Sequence, residues 1–526
     1  MVIATRQFCR LPRTLLASVL RLLLALVVLF PASAVCTTCA LCHPKEAAGF
    51  AQTPMARSLS IEGAQPEGAF DHPFSQTRFT IRNSENGIIQ TWTRKGESES
   101  MRFQYVVGSG EHAFGYLAQV GDHLFQSPIS YYSKRRQWDV APGFEQDPAP
   151  DFTRPVTAEC LACHSGGARP VPETLNTYLS PPFTATGITC ERCHGNTEAH
   201  LRNPVRGTVL NPAKLPEAAR DSICEQCHLA GEIRIPNPGR AIPDFQPGQT
   251  LEQSYTVYVA AHGPEDTVKV ISQAEQLALS TCKRRSGAKL WCGTCHDPHE
   301  QPSQPEDYFR QRCLTCHLAV LPAKHAALPN CIGCHMPQRP AKDGGHTAFT
   351  DHRISRHPDQ TESTAGAGEL VAWREPDPEL RDRNLALALV TVGIENHDSA
   401  QVIRGYRMLN RLKEVQDDPA VLTALGSILL IAKEPSEASK RFSQALSQRP
   451  NYAPYEVNLA TALLDNNQRP EAIPHLERAL ELDPLLQKAI LLLTQAYRSE
   501  GEETKAAAVM ARYRTVMGIR TADHNP

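Results

Sequence analysis

The spacing of apolar and polar residues changes character several times along the chain. Leu22–Phe30 is an unbroken apolar run preceded by Arg6, Arg10, Arg13 and Arg21. Further on, Phe79 and Ile81 alternate with polar neighbours, Asn86-Gly87 interrupts, and Ile88 to Trp92 resumes. That pattern predicts a β-hairpin across Arg78–Thr93, because Asn-Gly favours the tight turn between paired strands. Met101–Val107, closed by Gly108-Ser109-Gly110, predicts another strand. From 160 to 358 neither period is sustained and proline is frequent, which predicts short helices and loops. Residues 359–384, rich in Ser, Thr, Gly, Ala, Pro and acids, read as a linker.

Beyond the linker an internal period appears. Leu425-Gly426, Ala438, Phe442, Ala445 and Pro450 return as Leu459-Ala460, Ala472, Leu476, Ala479 and Pro484, and more weakly as Leu493, Tyr497, Ala506 and Met510. The spacing of about 34 residues with small residues in fixed places is that of tetratricopeptide helix pairs, with an unrelated helical bundle as the alternative. Residues 385–418 fit a degenerate first repeat. The expected fold is therefore mainly α with irregular packing, a small β-rich insert at about 70–140, and a C-terminal α-helical tetratricopeptide solenoid. The expected divisions are 1–34, 35–358, 359–384 and 385–518.

Residues 1–34 have the form of a cleavable export signal: the arginines, the short apolar run, then Ala32-Ser33-Ala34. A membrane anchor is the competing reading, but the run is far short of the ~20 residues that span a bilayer. A lipoprotein signal through Cys36 is disfavoured by Val35 before it. No second run is long enough to span. The formal net charge is −2, and losing four arginines and no acid would make the mature chain more acidic. No basic run points to nucleic acid.

Composition changes the picture in one respect: 17 Cys and 20 His stand beside only 13 Tyr and 16 Phe. Seven Cys-x-x-Cys-His strings account for most of the cysteine. They are Cys39/Cys42/His43, Cys160/Cys163/His164, Cys190/Cys193/His194, Cys224/Cys227/His228, Cys292/Cys295/His296, Cys313/Cys316/His317 and Cys331/Cys334/His335. Two thiols at this spacing can add to the two vinyl groups on one porphyrin edge, and the next imidazole then reaches the iron. Zinc knuckles share the paired cysteines but do not require His next. A disulfide scaffold suits an exported chain but leaves seven histidines unexplained. The reading is seven covalent c-type haems, with seven iron ions. Cys36-Thr-Thr-Cys39 lacks the His, and Cys9, Cys36 and Cys282 lie outside the motifs.

The second axial ligand of each iron must come from elsewhere. Ten further histidines lie between 35 and 358, enough for seven bis-imidazole irons. Context favours His72, His112, His200, His299, His325, His346 and His352. His123, His262 and His357 read as solvated or core residues, and Met55 is a weaker alternative ligand.

With these strings placed, the chain resembles the multihaem cytochromes of the cytochrome c-552/4 family that carry C-terminal tetratricopeptide repeats. The likeness rests on Tyr105–His112, Pro128–Tyr132, Trp138–Phe144, Gly187–Gly195, Asn211–Leu215, Cys292–His299, and Cys331–Pro337 followed by Thr350-Asp351-His352. The resemblance implies export and closely spaced bis-His haems, with distal ligands at His72, His112, His200, His299, His346 and His352. The match is loosest around His112. The expected function is electron transfer between redox protein partners, with the repeats docking a protein. One alternative is a multihaem oxidoreductase acting on nitrite, hydroxylamine or a similar small nitrogen or sulfur compound. Another is a binding module in which the haems sense redox state.

Overall fold

The computed structural model describes residues 38–521 apart from 62, 86, 261–267, 319–324, 326–327, 357–368, 413–416 and 518–519. The signal-like segment, Cys36, His262, His357 and the first part of the expected linker (359–368) thus lie outside the described residues.

Strands dominate the first half. The predicted hairpin is present as β3 (Thr77–Ser84) and β4 (Gly87–Arg94), with Phe79 opposite Trp92 and Ile81 opposite Gln90. Every second residue turns inward: Thr77, Phe79 and Ile81 are buried while Arg78 is exposed, the pleat's period of two. Around it, β2 (Gly68–His72), β5 (Glu97–Phe103) and the C-terminal β19 (Arg520–Thr521) complete a five-stranded sheet. A seven-stranded sheet joins β1 (Leu59–Ile61), β6 (Tyr105–Val107), β7 (Ala113–Val120), β8 (His123–Gln126), β9 (Ile129–Tyr132), β10 (Gln137–Val140) and β11 (Arg154–Pro155). Phe79, Phe103, Phe125, Ile129 and Trp138, drawn from both sheets, share one core.

This overturns the expectation of a mainly α molecule with a small β insert. Strands continue well past 140. β12 (Ala168–Pro170) pairs with β13 (Tyr178–Phe183), and β14 (Ile233–Pro236) with β15 (Tyr255–Ala260). β16 (Gln338–Pro340) pairs with β17 (Ala348–Thr350), and β18 (Leu370–Ala372) joins β15. Most of these later strands are short and several pair across long loops, so no local run of alternation announces them. The molecule is a β-rich N-terminal region threaded by short helices, followed by a helical C-terminal region.

The helices of the first region are α1 (Pro44–Ala51), α2 (Ala158–Ala162), α3 (Glu191–His194), α4 (Glu198–Arg202), α5 (Glu217–His228), α6 (Gln273–Leu279), α7 (Thr281–Ser286), α8 (Cys292–Cys295), α9 (Pro305–His317) and α10 (Ile332–His335). Those of the second are α11 (Pro378–Glu395), α12 (Ser399–Leu409), α13 (Pro419–Ile431), α14 (Pro435–Gln448), α15 (Ala453–Asp465), α16 (Arg469–Leu482), α17 (Gln487–Ser499) and α18 (Glu503–Met517). None of the described helices is long and apolar enough to cross a membrane.

From α13 onward the helices pair in step with the period seen in the sequence. Small buried residues let the pairs approach: Ala438, Ala445, Ala460, Ala472 and Ala479 are fully buried. At Gly426 a Cβ would stand 2.6 Å from the Phe442 ring, so the close crossing of α13 and α14 requires glycine. Pro378, Pro419 and Pro435 open α11, α13 and α14 where no intrahelical N–H is needed. Asp377, Asp398 and Asp418 cap α11, α12 and α13 through backbone amides.

Both ends of the helical array are held to the first region. α11 buries its apolar face against Ile235, Tyr258 and Leu370, and Asn384 donates to Thr256 at 2.9 Å. Residues 369–384 therefore do not act as a loose tether; β18 is paired, and Arg374 bonds the buried Glu225. At the far end, Leu485 and Met517 enter the core of the two large sheets, and β19 pairs with β5.

Candidate haem centres

Each motif is built on a single helical turn. The backbone N–H of the motif histidine donates to the carbonyl of the first motif cysteine in four of them: His43 to Cys39 at 2.8 Å, His194 to Cys190 at 2.9 Å, His296 to Cys292 at 2.9 Å, and His335 to Cys331 at 3.0 Å. The motifs at 224–228 and 313–317 form the last turns of α5 and α9. At 160–164 the turn is tighter, and His164 N–H donates to Leu161 O at 3.0 Å. On a helix, positions i, i+3 and i+4 share a face, so both thiols and the imidazole are presented together.

None of the fourteen motif cysteines forms a disulfide. Thiol contacts tie neighbouring motifs: Cys163 to Cys227, Cys224 to Cys292, and Cys313 to Cys331. The expected attachment thiols are not equally enclosed. Cys42, Cys316 and Cys334, the second cysteines of the first, sixth and seventh motifs, are exposed, as is Cys160. The reason is local: α9, which carries Cys316, and α10, which carries Cys334, bury none of their residues, and neither does α1, which follows Cys42. The chain itself therefore does not bury Cys42, Cys316 or Cys334, and the expectation that they hold haem rests on the motif and its turn, not on burial.

Three motif histidines face an expected distal histidine. His43 and His200 have ring centroids 6.4 Å apart with planes at 27°. His194 and His299 stand 6.0 Å apart at 26°, and His296 and His352 6.3 Å apart at 26°. One metal atom bonded at about 2 Å to a nitrogen of each ring, with ~1 Å from nitrogen to ring centre, requires roughly 6 Å. The spacing fits a single iron between each pair. Pairs of donors are also what haem iron, already held by four porphyrin nitrogens, leaves for the protein. Among the described residues no group of three or more His, Cys, Asp or Glu is disposed to hold a bare ion.

Four of these six rings follow one rule, as does His335, whereas Nδ1 of His164 is buried without a partner. Nδ1 lies near an oxygen in His194 (Leu210 O, 2.8 Å), His200 (Thr208 Oγ1, 2.8 Å), His299 (Asp297 Oδ1, 3.2 Å), His335 (Ser355 O, 2.9 Å) and His352 (Thr350 O, 2.9 Å). His228 repeats it more loosely with Gln273 at 3.4 Å. Holding Nδ1 leaves Nε2 as the lone-pair nitrogen, the usual arrangement of a metal-bound histidine. Two of the paired rings, His296 and His352, are pushed toward the neutral form, which is the ligating one. Burial, with His352 and His228 nearby, pushes His296 down to about 4; burial likewise lowers His352.

The remaining expected ligands are placed differently. His72 is buried with both ring nitrogens engaged, Nδ1 to Ser75 Oγ at 2.8 Å and Nε2 to Glu145 O at 3.3 Å. His346 uses Nε2 on Asp139 Oδ2 at 2.7 Å, the reverse of the rule above. His112 rests on Phe349 with ring centroids 4.2 Å apart, its Nδ1 is buried without a partner, and burial followed by Lys134 lowers its pKa. His325 is exposed. His123 pairs with Asp483. None of the holders of Nδ1 was read from the sequence, although Asp297 and Thr350 stand inside strings that flag His299 and His352.

Residues 132–195, which contain the second and third motifs, match the family described as cytochrome c554 and c-prime. This stretch is similar to cytochromes of that family. The likeness points to covalently bound haem c and to electron transfer. No curated protein matches the chain. Solved structures similar to part of it include "Crystal structure of MamA" (17% identity, 27% of this chain and 81% of that one, TM-score 0.24) and "Crystal structure of MamA protein" (18% identity, 26% and 75%, TM-score 0.23). At these scores the likeness assigns no function.

Proposed function

We propose that the protein is an exported seven-haem c-type cytochrome that relays electrons between redox protein partners. The observation that carries this reading is the set of three imidazole pairs at the spacing of a shared iron. Haem c, when bound, supplies a one-electron centre whose potential its axial ligands tune. The chain's own part is to fix those ligands. His43 with His200, His194 with His299, and His296 with His352 would each close both axial positions. Thr208, Leu210, Asp297 and Thr350 set which nitrogen faces the iron. His164, His228, His317 and His335 would supply the first ligand of the other four centres.

Thiol contacts between motifs support close haem spacing, as a relay needs. Export rests on the signal-like residues 1–34. The helical pairs would act as tetratricopeptide repeats that dock a protein partner, and their fixed ends would hold it beside the haems. Mass spectrometry of the mature protein, made in a host competent for cytochrome maturation, tests the cofactor count. Seven haem masses above the polypeptide from residue 35 are expected; fewer, or a zinc-loaded colourless product, overturns the reading.

A further inference from the structure

The second, third and fourth motifs are bonded to one another through the residues between their cysteines. Arg192, inside the third motif, donates from Nη2 to the carbonyl of Ala162, inside the second, at 3.0 Å. Gln226, inside the fourth, donates from Nε2 to the carbonyl of Arg192, also at 3.0 Å. Cys163 completes the ring, its thiol 3.6 Å from the carbonyl of Gln226. Two cations stand at this junction. Arg192 is one. Arg234 of β14 is the other, donating to Leu229 O just past α5 from Nε at 3.2 Å and from Nη2 at 2.5 Å.

Neither charge is neutralised. Among the described residues no carboxylate bonds Arg192 or Arg234, whose guanidinium groups are spent on carbonyls. Arg192 Nε is buried with no partner at all, and Glu159 feels the field of Arg234 without bonding it. The charge of Arg192 falls on the thiols of Cys193 and Cys227, and that of Arg234 on the thiols of Cys163 and Cys227. These are attachment thiols of three different motifs. A half-buried charge is poorly screened by salt. An iron that gains an electron loses one unit of positive charge, so an unneutralised cation nearby favours the reduced form.

We propose that Arg192 and Arg234 form an electropositive centre shared by the second, third and fourth haems, raising their potentials and making this junction the place in the relay where electrons rest. The inference rests on the haem-relay reading. Spectroelectrochemical titration of the full haem-loaded protein tests it. Arg192→Gln and Arg234→Gln should each lower at least two of the potentials, by about 60 mV where the preference for oxidised iron changes tenfold. The shift should persist in high salt, as a poorly screened charge requires. Arg192→Lys and Arg234→Lys keep the charge and should stay near the wild-type potentials. Unchanged potentials in both Gln variants overturn the proposal. So do Lys variants that shift as far as the Gln variants, which would assign the arginines to loop packing, and loss of haem from both Gln variants, which would assign them to assembly. Mass spectrometry separates the two readings: a wild-type protein without haem defeats the relay, whereas fully loaded variants with unmoved potentials defeat only the electropositive centre.

Discussion

His194 and His299 hold their ring centres 6.0 Å apart, and each fixes its outer nitrogen on an oxygen, Leu210 O for one and Asp297 Oδ1 for the other. His43 with His200, and His296 with His352, repeat the ring spacing, and in those pairs His200 and His352 have Nδ1 near an oxygen. Removing the non-motif member should therefore free one axial position per variant. His299→Ala, His200→Ala and His352→Ala are each expected to convert one haem from low spin to high spin, read by visible absorption and electron paramagnetic resonance. His346→Ala is expected to leave the haem spectrum unchanged, because Nε2 of that ring serves Asp139. Unchanged spectra in all three pair variants would remove the pairs from the ligand set.

Closed axial positions also bear on chemistry. An oxidoreductase acting on nitrite or hydroxylamine needs an iron with an open or weakly held site. A relay does not. Carbon monoxide, nitrite and hydroxylamine added to the reduced protein should leave the paired haems spectrally silent. A shift that His299→Ala, His200→Ala or His352→Ala does not enlarge would place an open site at one of the other four motifs and favour the oxidoreductase reading.

The motif turns were more legible in the sequence than the architecture. Seven Cys-x-x-Cys-His strings are contiguous, so one turn of helix carries all their geometry, and His200 and His299 were legible because each lies a few residues after a motif. The exposure of Cys42, Cys316 and Cys334 was not legible, since burial of a motif thiol depends on what packs against its helix. His352 was legible from its string, yet its partner His296 was not, since the pairing is made by the fold. The same holds for the contact of His346 with Asp139, which lies in a distant strand. Architecture failed for a related reason. The β3–β4 hairpin is local and has a turn signal, whereas β15 and β18 meet only after more than a hundred residues of intervening chain. The helical pairs were visible because their 34-residue period repeats small residues at fixed places; their anchorage at both ends was not, because Leu485 and Met517 look like ordinary helix-array residues until they enter the sheet core.

Thr208 offers a test of ligand tuning that leaves coordination intact. Its Oγ1 lies 2.8 Å from Nδ1 of His200, and an acceptor there makes the imidazole a stronger donor to oxidised iron. Thr208→Val keeps the shape and removes the acceptor. One haem potential is expected to rise, by about 60 mV if the preference for oxidised iron changes tenfold. Spectroelectrochemical titration reads this, and an unchanged set of potentials would mean that Thr208 does not act on a haem ligand.

The attachment of the helical array can be tested at His123 and Asp483. His123 Nε2 lies 3.1 Å from Asp483 Oδ1, with the side chains 12% and 7% exposed. His123 belongs to β8 and Asp483 follows α16, so the pair bridges the sheet region and the array. Asp483 Oδ1 also accepts the Leu485 N–H at 3.1 Å, and Leu485 is part of the sheet core. A hydrogen bond to a buried carboxylate is worth about 2 kcal/mol, and removing one partner leaves the other unsatisfied. His123→Ala should therefore lower the stability read from urea unfolding by that much, and the double variant His123→Ala/Asp483→Ala should cost less than the sum of the singles. Limited proteolysis should then release the C-terminal helices sooner in His123→Ala than in the wild-type protein. Additive costs with unchanged proteolysis would mean that the array is held by α11 and the apolar contacts of Leu485 and Met517 alone.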